Sequence, residues 1–155
     1  VQMGIAVMGH VGLHPQAVGA LGGLTVQGKS IETARKVVSE AIALQEAGAF
    51  GIIFEAVPAK LSAYVTKKLR VPTISIGGGP GCSGQLLVTY DVLGMFETFT
   101  PKFAKKYANF NKLIRETFIQ YRQEVLDRKF PGEEHSYGMS DEVMQAIEKE
   151  FGKAK

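Results

Sequence analysis

The stretch Phe50-Gly51-Ile52-Ile53-Phe54-Glu55-Ala56-Val57-Pro58 carries the pattern that decides the fold. It opens with a short apolar run, and Glu55 stands where that run ends. Pro58 then begins a helical pattern, as proline does at a first helical position. An apolar strand followed by an amphipathic helix is the unit from which a parallel sheet covered by helices is built.

A similar unit precedes this stretch. The run Gly4-Ile5-Ala6-Val7-Met8-Gly9 predicts a first strand that ends at His10. Ser30 is a good N-cap for the helix that follows, and Gly48 is a good stop for it.

Two further apolar runs predict strands at Pro72-Thr73-Ile74-Ser75-Ile76 and at Leu86-Leu87-Val88-Thr89-Tyr90. Four strand–helix units are half of the eight that close a barrel of about 250 residues. We therefore predict an α/β fold in which this chain supplies about the second half of a (βα)₈ TIM barrel. An open sheet of four or five strands is the alternative.

The last third of the chain has a helical pattern. An apolar stripe predicts a long helix or a helix pair from Phe103 to Leu126, and Ser140 caps a short C-terminal helix. We predict a half-barrel over residues 1–100. Residues 101–155 form a helical segment that packs on the barrel or on a neighbouring subunit.

Composition excludes several classes of protein. The 155 residues are 45% hydrophobic and 21% charged, with a net charge of +3. This is globular composition, and the charge is too mild to predict a nucleic-acid or membrane partner. No apolar run approaches the ~18 residues of a membrane span. The lone Cys82 allows no intrachain disulfide and favours an intracellular protein, while the first residue, Val1, indicates a processed chain or part of a longer one.

Glu55 is the first candidate for chemistry. A carboxylate at the end of a buried strand is partly desolvated, which makes it a better base near neutral pH. A helix cap or an ion pair is the structural alternative. His10, at the end of the predicted first strand, is a candidate for holding a substrate or a metal-bound water. Neither His14 nor His135 has metal-ligand spacing with it, so we predict no zinc site in this chain.

The loop Gly77-Gly78-Gly79-Pro80-Gly81-Cys82-Ser83-Gly84-Gln85 is a candidate pocket, with Gly77, Gly79 and Ser83 as its site residues. Its backbone amides could approach an anion, although turns also need glycine. Cys82 has no basic partner nearby and is a poor candidate nucleophile. Asp91 is interpreted as a helix cap, with a pocket residue as the alternative.

Taken together, a series of motifs resembles one family, the ketopantoate hydroxymethyltransferases (3-methyl-2-oxobutanoate hydroxymethyltransferases). The resemblance covers the chain from about Gly4 to Tyr137. This stretch is similar to the C-terminal part of the family's enzymes. The motifs occur in the family's order: Gly9-His10-Val11-Gly12-Leu13-His14-Pro15-Gln16, Gly22-Gly23 with Val26-Gln27-Gly28, Glu55-Ala56-Val57-Pro58, Ser83-Gly84-Gln85-Leu86-Leu87-Val88, Asp91 with Leu93-Gly94, Pro101-Lys102-Phe103, and Phe130-Pro131-Gly132-Glu133-Glu134-His135-Ser136.

The resemblance implies barrel strands five to eight and a specific reaction. The family transfers a hydroxymethyl group from 5,10-methylenetetrahydrofolate to 3-methyl-2-oxobutanoate, which gives 2-dehydropantoate in pantothenate biosynthesis. A Mg²⁺ ion assists enolisation of the keto acid. Glu55 matches the family's glutamate base. The family's metal ligands come from its N-terminal strands, so the resemblance implies no metal ligand in this chain and no activity of this chain alone.

The resemblance also implies a homo-oligomer, commonly a decamer. The Ser83-Gly84-Gln85 form is similar to the eukaryotic branch, and His14 stands where threonine is usual. We therefore expect a mitochondrial protein if the source is a eukaryote and a cytoplasmic one otherwise. Two alternatives remain: a non-catalytic half-barrel that serves as a scaffold or binding module, and a related lyase or mutase acting on another 2-keto acid.

Overall fold

The computed structural model describes residues 1, 3–15 and 25–153. Within the resembling motifs, Gln16 and Gly22-Gly23 lie outside the described residues. The chain divides into two compact units, Val1–Asn109 and Phe110–Lys155. The boundary thus falls nine residues later than residue 100, and the packing of the second unit stays a prediction.

The first unit contains a parallel sheet with the order β1-β2-β3-β4. This confirms the predicted α/β class with a parallel sheet. The strands are β1 (Met8–Gly12), β2 (Gly51–Glu55), β3 (Thr73–Ile76) and β4 (Gly84–Gln85), and the helices are α1 (Ile31–Glu46), α2 (Ala59–Lys68) and the short α3 (Thr89–Val92).

One face of the sheet is packed into an apolar core. Val11, Ile52 and Phe54 are fully buried there against side chains of α1 and α2, namely Val37, Ala41 and Val65. Because side chains alternate along a strand, their neighbours point to the opposite face. That face carries His10, Ile53, Glu55 and Ile74, which are partly exposed, and Ile76, which is buried.

The two long helices of this unit begin as their sequence predicts. Ser30 caps α1, with its hydroxyl accepting from the Thr33 amide at 3.1 Å, and the Thr33 hydroxyl accepts from the Ser30 amide at 3.1 Å. Gly48 follows α1 with φ of 94°. Pro58 is the N-cap of α2 and not its first helical residue.

Two strand predictions were wrong. The first strand is shifted, because Gly4 (φ 74°) closes a turn onto Val1 and the ladder begins only at Met8. His10 therefore lies inside β1 and not at its end. The predicted fourth strand over residues 86–90 is also wrong.

The reason for the second error lies in the neighbouring strand. Leu86 still donates to the carbonyl of Ser75, but β3 ends at Ile76 and Gly77 (φ 78°) turns the chain away. Among the residues that the structure describes, no strand pairs with residues 87–90, and Thr89 and Tyr90 enter α3.

The second unit consists of α4 (Phe110–Leu126), a 3₁₀ turn (Glu133–His135) and α5 (Asp141–Phe151). The prediction of helix from Phe103 was wrong, because residues 103–109 are not helical. Phe130 contacts the ring of Tyr121 edge to face and the ring of His135 in a tilted arrangement, with centroids 5.5 and 5.0 Å away. Among the described residues of the whole chain, no helix combines the length and apolar character that a membrane crossing requires.

Candidate active site

Glu55 ends β2, as predicted, and its side chain lies on the open face of the sheet. Its backbone is held from both neighbouring strands: the amide of Leu13 donates to the Glu55 carbonyl at 2.9 Å, and the amide of Ala56 donates to the Ile76 carbonyl at 2.9 Å. The side chain is 17% exposed. A carboxylate is thus presented at the carboxyl edge of the sheet, where ligands bind in parallel α/β folds.

Gly12 explains how β1 approaches Glu55 so closely. Gly12 has φ of 100°, and a Cβ at this position would collide with the carbonyl oxygen of Glu55 and meet Val57 Cγ2 at 2.7 Å. Only glycine combines this backbone conformation with this contact. The glycine in the motif therefore allows the first strand to lie directly beside the base.

His10 touches Glu55 across the two strands. His10 Nε2 lies 3.1 Å from Glu55 Oε2, and the His10 side chain is 29% exposed. Because an ionised carboxylate only accepts hydrogen bonds, the imidazole donates through Nε2–H. The two strongest site candidates of the sequence are therefore brought together by the structure.

Burial lowers the pKa of His10 below its ordinary value, since the desolvated imidazolium is disfavoured. The charge of Glu55 opposes this shift, and nearby His14 adds to it. Burial is the largest influence, so we conclude that His10 is neutral near pH 7. A neutral donor orients the carboxylate without neutralising it.

His14 is a member of the site that sequence reasoning did not select. Its Nδ1–H donates to the carbonyl of Gly12 at 3.1 Å, and its ring meets the ring of His10 edge to face with centroids 4.8 Å apart. Both histidines line one groove beside α1. The signal that could have found it is the spacing, because His14 is only four residues from His10. That spacing was considered only for metal binding.

The glycine loop leaves the same edge of the sheet from β3. Gly77 and Gly79 both have φ of 78°, and both are packed closely. A Cβ on Gly77 would lie 2.6 Å from the ring of Phe103, and one on Gly79 would collide with Ala59. Close packing therefore accounts for these glycines, and their pocket role stays a prediction. A groove of about 490 Å³ opens beside the loop.

Ser83 lies elsewhere. It exchanges two hydrogen bonds with Thr73: the Thr73 amide donates to Ser83 Oγ at 3.2 Å, and the Ser83 amide donates to Thr73 Oγ1 at 3.3 Å. Thr73 begins β3, so this pair sits at the amino edge of the sheet. Ser83 therefore does not share an edge with Glu55, and its pocket role stays a prediction. Its observed role is to start the pairing of β4 with β3.

The remaining candidates have structural contacts. Cys82 is half-buried and accepts from the Thr66 hydroxyl at 3.7 Å. Asp91 lies inside α3, whose N-cap is Val88, so its interpretation as the cap was wrong.

We tested whether the described residues fit a divalent metal ion. They contain no group of three or more His, Cys, Asp and Glu side chains placed to hold one. Glu55 and His10 alone are too few ligands for a cation that prefers near-octahedral oxygen coordination. This part of the chain does not by itself fit the metal that the resemblance implies.

Comparison with known proteins agrees with the motifs. A family model described as ketopantoate hydroxymethyltransferase matches residues 1–133. A 3-methyl-2-oxobutanoate hydroxymethyltransferase of Carboxydothermus hydrogenoformans is 52% identical over 95% of this chain and 53% of its own length. One from Enterococcus faecalis is 48% identical over 95% and 54%.

A rice relative (Oryza sativa subsp. japonica), named 3-methyl-2-oxobutanoate hydroxymethyltransferase 2, mitochondrial, is 52% identical over 88% of this chain and 35% of its own length. The chain spans about half the length of the bacterial relatives it matches. The matched family model and these identities, over most of the chain, establish that this chain belongs to the ketopantoate hydroxymethyltransferase family.

Proposed function

We propose that the full-length protein transfers a hydroxymethyl group from 5,10-methylenetetrahydrofolate to 3-methyl-2-oxobutanoate, giving 2-dehydropantoate, with Glu55 as the base. The names of the relatives support the transferase class and the keto acid. The single observation that carries the role of Glu55 is its 3.1 Å contact with His10 on the open face of the sheet, at the carboxyl edge.

The reaction needs a base to remove the C3 proton of the keto acid. The C3–H bond of the keto acid is adjacent to a carbonyl group, so its proton is acidic and its removal leaves an enolate. Glu55 takes that proton. The enolate carbon then forms a bond to the methylene carbon of the cosubstrate, whose bonds to the folate nitrogens break. Water supplies the hydroxyl oxygen. The two folate nitrogens take up one proton from that water and the C3 proton held by Glu55, which restores the carboxylate.

His10 orients the base. Its Nε2–H holds Oε2 of Glu55, which restricts rotation of the carboxylate. Burial lowers the pKa of His10 and favours its neutral form, so the ring acts on Glu55 as a hydrogen-bond donor and not as a cation.

The rest of the proposal concerns residues beyond this chain. The open sheet face and the two edge strands, β1 and β4, are suited to closure into a (βα)₈ barrel by further strands. Mg²⁺ would stabilise the enolate, with ligands supplied by the part of the relatives that this chain does not match. Under this proposal the 155-residue chain alone does not turn over.

Assembly and compartment follow the family in this proposal. The exposed apolar side chains of α4 and α5 suit contacts between copies of the protein in a homo-oligomer, and a decamer is the expected form. They include Leu113, Ile114, Phe118, Ile119, Val125, Val143, Met144 and Ile147. The protein would act inside the cell, in the mitochondrion if the source is a eukaryote.

The test is exchange of the C3 proton of 3-methyl-2-oxobutanoate in D₂O with Mg²⁺ and no folate, followed by NMR. We expect Glu55→Gln to slow exchange by about 10²- to 10⁴-fold, the usual contribution of a general base. The matched control is Glu46→Gln, since Glu46 is an exposed glutamate that pairs with Arg70 at the other end of the sheet. Wild-type exchange rates in Glu55→Gln would refute the role of Glu55.

A second measurement separates the alternatives. Product formation that requires methylenetetrahydrofolate supports the transferase. Cleavage or rearrangement of a keto acid without it would favour a lyase or mutase. Binding without exchange or turnover in the full-length protein would favour a scaffold.

A further inference from the structure

The groove beside the glycine loop has a mixed lining that the proposed chemistry of Glu55 does not use. It lies within the first unit, at the carboxyl edge of β3. Its lining includes the backbone of Gly77 and Gly79, the side chains of Phe103, Lys105 and Tyr107, and Gln85. The Gln85 amide donates to the Gly79 carbonyl at 3.1 Å, which ties β4 to the loop.

The groove combines aromatic rings with positive charge. Phe103 is half-buried against Gly77, whereas the side chain of Tyr107 is exposed. The ammonium of Lys105 lies 4.8 Å from the centroid of the Tyr107 ring. Residues 101–107 contain three lysines and no acidic residue. A planar ligand that also carries carboxylates matches this lining, because rings stack on aromatic side chains and carboxylates pair with lysine.

The groove starts next to the base. Glu55 pairs with Ile76 across the sheet, and the Ala56 amide donates to the carbonyl of Ile76. Gly77 is the next residue and already lines the groove. A ligand in the groove can therefore bring a reactive group to the edge where Glu55 acts.

We propose that this groove binds the folate cosubstrate, with the pterin ring against Phe103 and Tyr107 and the glutamate carboxylates on Lys105. The inference rests on the proposed function, which supplies the identity of the ligand. Reduced folates have the two properties that the lining selects, a flat bicyclic ring and an anionic tail. In this arrangement Lys105 and Tyr107 are binding residues for the cosubstrate and take no part in removing the C3 proton.

The test compares two lysines that each lie over a tyrosine ring. We would introduce Lys105→Gln into the full-length protein, with Lys68→Gln as the matched control. Lys68 lies 5.6 Å from the Tyr64 ring, at the end of α2. Both lysines are exposed, so neither change should disturb folding.

We expect Lys105→Gln to raise the KM for methylenetetrahydrofolate by about three- to fivefold, as for loss of an exposed ion pair. Tyr107→Leu should raise it by about five- to tenfold through loss of stacking. Folate-free exchange of the keto-acid proton should match wild type in both variants. Lys68→Gln should leave all of these quantities unchanged.

A binding experiment assigns the lysine to the carboxylate tail. The probes are tetrahydrofolate and 6-methyltetrahydropterin, which has the ring but no carboxylate. Lys105→Gln should weaken binding of tetrahydrofolate and leave binding of the pterin unchanged, whereas Tyr107→Leu should weaken both. If Lys105→Gln and Lys68→Gln bind tetrahydrofolate with the same affinity, the inference is overturned.

Failure of this inference is distinguishable from failure of the proposed function. If wild-type protein exchanges the proton, Glu55→Gln abolishes exchange, and the groove variants bind folate normally, only the inference is wrong. If wild-type protein neither exchanges the proton nor consumes methylenetetrahydrofolate, the proposed function is wrong. Loss of proton exchange in Tyr107→Leu would place the keto acid in the groove and would also overturn the inference.

Discussion

The two faces of one short sheet differ in what they carry: one forms the apolar core, and the other carries the candidate site. The face toward α1 and α2 buries Ile52 and Phe54 completely. The other face carries His10 and Glu55, which are 29% and 17% exposed and bound to each other. Phe54 and Glu55 are consecutive residues, so a single peptide unit separates the apolar core from the candidate chemistry. The alternation of side chains along a strand is what allows both to coexist.

Stability and activity should therefore separate residue by residue along β2. Substitutions on the covered face should change the free energy of unfolding, and substitutions on the open face should change catalysis. The same full-length protein can be assayed for both quantities.

The largest effect on stability is expected for Phe54→Ala. Removing a fully buried ring should lower the free energy of unfolding by about 3–5 kcal/mol, from lost transfer energy and the cavity left behind. Urea unfolding measures this. Glu55→Gln, one residue on, should change the free energy of unfolding far less while slowing proton exchange. Equal destabilisation by both would break the division between the faces.

Gly12→Ala should lower both the free energy of unfolding and the rate of proton exchange. The new Cβ would meet the Glu55 carbonyl at a backbone angle that favours glycine, with an expected cost of about 1–3 kcal/mol in the free energy of unfolding. Exchange should also slow, because the strand that carries the base must move. Gly138→Ala is the control, since a Cβ there meets nothing within 4 Å. Unchanged stability and exchange in Gly12→Ala would refute this account of the close approach.

Ser30→Ala tests the helix that covers the apolar face. Loss of the Ser30 cap should destabilise the protein by about 1 kcal/mol, measured by urea unfolding, with normal exchange activity. Ser140→Ala provides the comparison, because Ser140 begins α5 without a side-chain hydrogen bond to the helix. Similar losses in both variants would show that the capping box of α1 contributes nothing specific.

The smallest expected effect is a change in how steeply the free energy of unfolding depends on pH. The pKa of His10 is lower in the folded protein than the ordinary value of about 6.5, so the unfolded chain binds a proton that the folded site rejects. The contribution of His10 to stability is fully present above that ordinary value. It is lost as the pH falls through the lowered pKa of the folded state.

His10→Gln should therefore reduce the loss of stability between pH 7.5 and pH 5. Urea midpoints at the two pH values measure the difference for each protein. A steeper loss in the variant than in wild type would show that the pKa of His10 is raised and not lowered by folding.

Local patterns predicted part of this molecule well. The apolar run before Glu55 and the cap at Ser30 are local signals, and the structure places β2 and α1 where those signals do. The limits of β1 and β4 depend on which residues of a neighbouring strand are available for pairing. Such pairing is set by contacts between distant parts of the chain, so the apolar runs alone misplaced both strands.

The candidate site, like the fold, was predictable only where a local signal marks it. Glu55 was located by its position at a strand end. Its contact with His10 depends on the register that places His10 beside Ile53 on the same face, and this register is absent from either motif alone. The position of Ser83 at the amino edge follows from the connection over residues 77–83, which returns there without a helix, and no local signal predicts that return.

The two backbone hydrogen bonds around Glu55 have a consequence for motion. The amides of Leu13 and Ala56 are tied to carbonyls on adjacent strands, so they should exchange with solvent slowly and together. The base is then attached to a segment that backbone hydrogen bonds hold on both sides. Entry and departure of a large ligand would have to use other residues, and those after α3, which form no regular element before α4, are the natural place for that opening.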